Sequence, residues 1–210
     1  MTDSVVFSGQ AGALSHRNRR IGLLGGSFNP AHDGHRYISI EAMKRLVLDE
    51  VWWLVSPQNP LKSESGMASF DRRVASARVV ARHPRIRVST IEAEMGTRYT
   101  ADTLEMLGLR YPAARFVWLM GADNLSQISR WQDWSKIFNT VSIAVFARDS
   151  YDSKALSALA AQRFAFARLP ASAAMALADA APPAWVFLRI RPHPAAATDL
   201  RRAGDWPVDT

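Results

Sequence analysis

The sequence predicts an α/β domain: a mainly parallel sheet with helices on both faces, giving three layers. Three observations carry this. Short apolar strands alternate with segments of helical periodicity from residue 20 to about residue 203, the pattern of βαβ units. Three of the strands stop at Gly25-Gly26, Ser56-Pro57 and Gly121, which hand the chain to loops. The composition, 48% hydrophobic and 21% charged over 210 residues, is that of a single globular domain and excludes a disordered or collagen-like chain.

The elements follow in order. Residues 1–19 have no periodicity and no apolar core of a secretory signal, so they read as a flexible arm preceding a single domain over 20–210, with a cytoplasmic location expected. Arg20–Gly25 is a buried strand ending at glycines. Tyr37, Ile38, Ile40, Ala42, Met43, Leu46 and Val47 recur near helical spacing. Glu50–Val55 is a second strand stopped by Ser56-Pro57, and 69–83 is a helix with Ser69 or Asp71 near its cap and Pro84 after it. A strand at 86–90, a helix at 100–110 and a strand at 115–120 ending at Gly121 come next. A helix at 131–138, a strand at 141–147, a strand at 185–190 and a short helix from Thr198 to Ala203 complete the pattern. The Ala-rich stretch 153–181 resists assignment. No apolar run reaches 18 residues, which excludes a membrane-spanning helix. The absence of cysteine removes disulfide scaffolds and thiolate-held zinc or iron–sulfur sites.

The formal charge is +7 and the pI about 10.3, and the excess is arginine, 22 residues against 4 Lys. Guanidinium groups grip phosphate oxygens bidentately, so a phosphate-binding surface is one reading. Composition bias is the other: the arginines are scattered singly or in pairs, with no block that marks a nucleic-acid groove. Neither a nucleic-acid nor a membrane partner is expected, and a homo-oligomer is left open.

In a parallel sheet, ligands bind where loops leave the carboxyl ends of strands at the reversal of strand order. The loop after the first strand is Gly25-Gly26-Ser27-Phe28-Asn29-Pro30-Ala31-His32-Asp33-Gly34-His35. Its glycines allow a phosphate close to the backbone, and the helix it enters offers free N–H groups to an anion. His32 and His35, three apart, would share a face there. The pair could equally be plain helix caps. A Walker loop is excluded because no Gly-Lys pair occurs, and Gly22, Gly25 and Gly26 do not supply a dinucleotide fingerprint. His16, His83 and His193 stand in no ligand-like spacing for zinc.

The string Gly-Ser-Phe-Asn-Pro-x-His-x-Gly-His resembles the signature of the His-x-Gly-His nucleotidyltransferases, and within them the bacterial nicotinate-nucleotide adenylyltransferases. Four further segments are similar in the same order: Trp53–Lys62, Tyr99–Leu104, Gly121–Leu125 with Trp131 and Trp134, and Thr198–Arg201. Two departures stand out: Ala196 where the last motif has Ser, and Leu61 where the second loop often has His. The resemblance implies a Rossmann-like domain that transfers AMP from ATP to nicotinate mononucleotide, releasing pyrophosphate, with Mg²⁺ carried by ATP rather than held by the protein.

The resemblance also implies roles. His35 would contact the α-phosphate, and His32 the β,γ end. Lys62 and Arg201 would neutralise phosphate charge. ATP would lie along Gly25, Gly26, Ser27, Phe28, His32, His35, Gly121, Asp123, Thr198 and Arg201. The mononucleotide would meet Lys62, Tyr99, Thr100, Trp131 and Arg148. Each has a plainer reading: Lys62 as a solvated lysine, Thr198 as a cap, Asp102-Thr103 as a helix start, Trp131 and Trp134 as core. The rivals are a sister transferase using nicotinamide mononucleotide or phosphopantetheine, a non-catalytic nucleotide sensor, and a basic nucleic-acid module whose binding would fall steeply with salt. The Tyr99-Thr100-x-Asp102-Thr103 loop argues against phosphopantetheine.

Overall fold

Seven strands form one parallel sheet in the order β3-β2-β1-β4-β5-β7-β6. They are β1 (Arg20–Gly26), β2 (Glu50–Val55), β3 (Ile86–Ser89), β4 (Arg115–Gly121), β5 (Ser142–Ala147), β6 (Arg168–Leu169) and β7 (Trp185–Arg189). The structure is a computed structural model and describes residues 16–57, 67–147 and 152–191. Every residue of β2 and β5 is buried, as expected of strands covered on both faces, which read as continuous apolar runs. Eight α-helices are described: α1 (Asp33–Arg45), α2 (Phe70–Val80), α3 (Ile91–Met95), α4 (Thr100–Arg110), α5 (Ala122–Gln127), α6 (Trp134–Thr140), α7 (Asp152–Leu156) and α8 (Leu159–Arg163).

Alternation along the strands divides the core in two. Ile21, Leu23, Trp52 and Trp118 pack with Leu104, Leu107 and Phe138 on one face. Leu24, Val51, Trp53 and Leu119 pack with Ala42, Leu46, Val74 and Leu177 on the other. This is the three-layer α/β architecture expected. No helix among the described residues is long and apolar enough to cross a membrane.

The differences from expectation are local. The Ala-rich stretch folds as α7, α8, two 3₁₀ turns (Ala165–Ala167 and Ala171–Asp179) and the two-residue β6. A run of alanines carries too little contrast between faces to show a period. The helix expected at 131–138 begins at Trp134, because Asp133 before it is left-handed (φ 49°). The helix expected at 69–83 ends at Val80, before the turn that leads through His83 to Pro84. The helix expected over 198–203 lies outside the described residues.

The expected N-terminal arm is docked at its end. Asn18 N–H donates to the Ala113 carbonyl at 2.7 Å, and His16 is buried edge-on against Trp52 and Tyr111. Its Nδ1 lies 3.2 Å from Glu50 Oε1. Glu50 also accepts from Trp52 Nε1 at 3.1 Å and Arg87 Nε at 2.6 Å, so this buried carboxylate is surrounded by donors. Burial, the largest influence, holds the His16 pKa below its ordinary value against the pull of Glu50.

Candidate active site

Strand order reverses between β1 and β4, the position where an open α/β sheet leaves a crevice at its carboxyl edge. A cleft of about 210 Å³ lies there. Gly25, His32 and His35 line it from the β1 side; Gly121, Asp123 and Asn124 line it from the β4 side; Tyr37, Ile38, Phe146 and Ile190 complete the wall. Five of the expected ATP-binding residues therefore meet: Gly25, His32, His35, Gly121 and Asp123.

The histidines serve as caps and line the cleft at once. His32 is the N-cap of α1, in extended backbone, and its Nδ1 accepts from Gly34 N–H at 3.1 Å. His35 at the third helical position returns the contact, its Nδ1 accepting from His32 N–H at 3.2 Å. This is a capping box built from two imidazoles rather than hydroxyl and carboxylate. Because each Nδ1 is an acceptor, each neutral ring carries its proton on Nε2. The ring centroids are 3.9 Å apart. Both imidazoles and the N-terminus of a 13-residue helix thus meet at the cleft.

Phe28 holds this arrangement from below. Its ring stacks on Trp53 (5.1 Å, 16° between planes) and tilts against His35 at 4.8 Å. Trp53 Nε1 donates to Ser39 Oγ and Ser39 Oγ to the His35 carbonyl, both at 2.8 Å. Phe28 is 2% exposed and has a left-handed backbone, φ 48°, a conformation costing a non-glycine residue of order 1–2 kcal/mol. Ser27 and Phe28, expected to touch ATP, lie buried beneath the cleft and are absent from its lining.

The two glycines differ. A Cβ on Gly25 would sit 2.3 Å from the Trp118 indole, whereas one on Gly26 would meet Phe28 at an ordinary 3.5 Å. Besides any approach of phosphate, Gly25 is required by a buried ring that fills the space beside it. Gly25→Ala is accordingly expected to destabilise the fold by about 1–3 kcal/mol through overpacking, and Gly26→Ala by less than about 1 kcal/mol. Urea unfolding of both variants checks this, and equal losses would refute it.

The residues expected at the mononucleotide lie apart from this lining. Tyr99 is the half-exposed N-cap of α4 and Thr100 its first residue. Trp131 is partly buried against the core, in the turn between α5 and α6, and Trp134 starts α6. Lys62, Arg148, Thr198 and Arg201 fall outside the described residues. Among described residues no lysine or arginine lines the cleft. A larger depression of about 610 Å³ opens at the amino edge of the sheet, beside Tyr111, Arg115, Ser142 and Asp179, and no expected site residue lines it.

Six of the described arginines make structural contacts. Arg20 and Arg115 both pair with Asp179, Arg87 with Glu50 and Arg45 with Glu41. Arg168 lies over Trp185 and Phe187. Arg73 is buried and donates only to backbone carbonyls among its described hydrogen bonds: Nε to Ala68 at 3.0 Å, Nη1 to Ser27 at 2.8 Å and Ser56 at 2.7 Å, Nη2 to Pro57 at 2.7 Å. Glu92 on α3, whose side-chain partner is Ser56, is 8% exposed. Burial pushes its carboxyl up to about 7, against the opposing hydrogen bond from Ser56. Sequence reading missed both groups.

Among described residues no group of three or more His, Asp or Glu is placed to hold a metal. Asp123, in the first turn of α5, is the carboxylate in the cleft lining.

The family described as cytidylyltransferase-like matches residues 23–202. A protein of Parvibaculum lavamentivorans named "Probable nicotinate-nucleotide adenylyltransferase" is 53% identical over 189 residues, covering 90% of this chain and 94% of its own. Proteins of the same name from Cereibacter sphaeroides and Bradyrhizobium sp. are 50% and 52% identical, each covering 89% of this chain and 98% of their own. The chain belongs to the nicotinate-nucleotide adenylyltransferase family. As a member it is a nucleotidyltransferase, and its cleft at the strand reversal is lined by His32 and His35. The fold of this adenylyltransferase agrees with that of Plasmodium falciparum nicotinic acid mononucleotide adenylyltransferase, solved in complex with NaAD. The TM-score is 0.65 at 16% identity, covering 88% of this chain and 83% of that one. The same Plasmodium enzyme complexed with APC gives a TM-score of 0.62 at 15% identity.

Proposed function

We infer that the cleft transfers AMP from Mg-ATP to nicotinate mononucleotide, giving the deamido dinucleotide and pyrophosphate. The observation that carries this reading is the His32–His35 capping box at a helix N-terminus, lining the cleft where the strand order reverses. The acceptor is the one named for relatives that share half of this sequence.

The chemistry suits these groups. The attacking oxygen belongs to a phosphate monoester, whose second pKa near 6 leaves it largely dianionic at neutral pH, so the step requires no general base. It attacks the α-phosphorus as the bond to the pyrophosphate oxygen breaks. The protein's task is alignment and stabilisation of charge. His35 donates to the α-phosphate, and His32 to the β,γ end that leaves. Asp123 accepts from ribose hydroxyls. Arg201 and Thr198 supply the remaining contacts to the phosphates of ATP, and Lys62 and Arg148 meet the mononucleotide. Tyr99, Thr100 and Trp131 receive the pyridine ring, for which an indole face is suited. Mg²⁺ enters with the nucleotide as part of the substrate, neutralising polyphosphate charge.

Pyrophosphate release from Mg-ATP tests the reading, with nicotinate mononucleotide, nicotinamide mononucleotide and phosphopantetheine as separate acceptors. Turnover is expected to be fastest with the first. No release with it would overturn the assignment, and a higher kcat/KM with the amide would transfer it to the sister activity.

A further inference from the structure

Arg73 poses a problem that stability alone does not answer. The side chain is 1% exposed, and among described residues no carboxylate faces it; burial is the one influence on its pKa, and lowers it. A buried guanidinium without a counter-ion is costly, and a well-packed apolar residue of similar volume often serves a fold as well or better. What Arg73 does instead is gather backbone carbonyls, spending four of its five donors on them.

The identity of those carbonyls is informative. Ser27 belongs to the loop that carries His32 and His35. Ser56 and Pro57 form the outgoing stem of the loop after β2, the segment that contains Lys62, and Ala68 lies on its returning stem. One planar fork therefore closes the base of that loop and ties it to the histidine loop. Two further contacts reinforce the joint: Ser56 N–H donates to the Gly26 carbonyl at 3.0 Å, and Ala68 N–H to Asn29 Oδ1 at 3.1 Å. The Ser56 side chain extends it to Glu92. The Glu92 carbonyl accepts from Thr97 N–H at 3.0 Å, and Thr103 Oγ1 donates to Thr97 Oγ1 at 2.8 Å, on the segment flanking Tyr99 and Thr100.

We propose that Arg73 is a positioning residue for the transfer reaction: by holding Ser56, Pro57 and Ala68, the ends of the loop after β2, against Ser27 of the histidine loop, it aligns the acceptor phosphate with the α-phosphate. It touches neither substrate. The histidine loop has supports of its own in the Phe28 stack and the capping box, so losing Arg73 leaves ATP binding largely intact and misplaces the acceptor. This rests on the proposed function.

The test uses the full chain with Arg73→Lys, which keeps the charge and loses the fork, and Arg73→Met, which keeps the bulk and loses every donor. Cooperative unfolding, ATP binding by calorimetry, and kcat and KM per folded site are measured for each. For both variants the expected result is a folded protein whose ATP Kd stays within about threefold. The kcat should fall about ten- to a hundredfold with a raised mononucleotide KM, the penalty for misalignment by roughly an ångström. Turnover within twofold of the wild type in both variants would overturn the proposal. So would a parallel loss of ATP binding and turnover, or failure of both variants to fold, since either makes Arg73 a fold-determining residue. Absence of turnover in the wild-type protein with every acceptor bears instead on the proposed function, and the ratio of variant to wild-type ATP affinity stays readable in that event.

Discussion

His35→Ala is expected to lower kcat by about 10²–10³-fold, the range seen when one preorganised donor to a developing charge is removed. The same change removes an acceptor from the α1 cap, because His35 Nδ1 receives the His32 N–H, and loss of a cap contact costs about 1 kcal/mol. The two consequences are separable. His35→Gln places an amide oxygen at the third helical position, where Gln completes a capping box, but supplies no imidazole. Both variants should therefore lose turnover, while the alanine variant alone loses stability in urea. The ATP KM should move less than kcat in both, since the contact strengthens as charge is transferred. An unchanged kcat in His35→Gln would reduce His35 to a helix cap.

The histidine site was legible because its logic is local. A strand, two glycines and two histidines three apart fall within a dozen residues, and helix geometry brings the rings together. The capping reading and the binding reading look like rivals in the sequence; in the structure the Nδ1 atoms make the cap while both rings line the cleft. Phe146 and Ile190 could not be read in this way. They reach the cleft because β5 and β7 are sheet neighbours, a pairing set by packing of the whole chain. Glu92 sits on a five-residue helix, too short for any period to show.

Arg73 did leave a signal. On α2 the buried positions are Arg73, Val74 and Ala77, with Phe70 packed alongside, so an arginine occupies the apolar stripe at helical spacing. A charge on a core-facing position is the informative exception in an amphipathic helix, and here it marks the joint between loops. The +7 charge pointed less directly. Several described arginines engage Asp179, Glu50, Glu41, ring faces and carbonyls, which favours a structural reading of those arginines.

Phe28→Ala should give the largest loss of stability, about 3–5 kcal/mol, because a fully buried ring stacked on Trp53 and His35 leaves a cavity. Its backbone makes a second variant instructive. Glycine in place of alanine ordinarily costs a further 0.5–1 kcal/mol or so in chain entropy, but at φ 48° alanine retains a left-handed strain of about 1–2 kcal/mol that glycine relieves. Phe28→Gly is thus expected to be no less stable than Phe28→Ala, reversing the usual order, and urea midpoints decide it. A glycine variant weaker by about 1 kcal/mol would show that the residue is unstrained. Both variants should also lose turnover at temperatures where they remain folded. With the ring gone, His35 keeps its cap but has no wall behind it, and an imidazole free to tilt no longer holds Nε2 on the line of the α-phosphate. Wild-type kcat in folded Phe28→Ala would assign the orientation of His35 to the capping box alone.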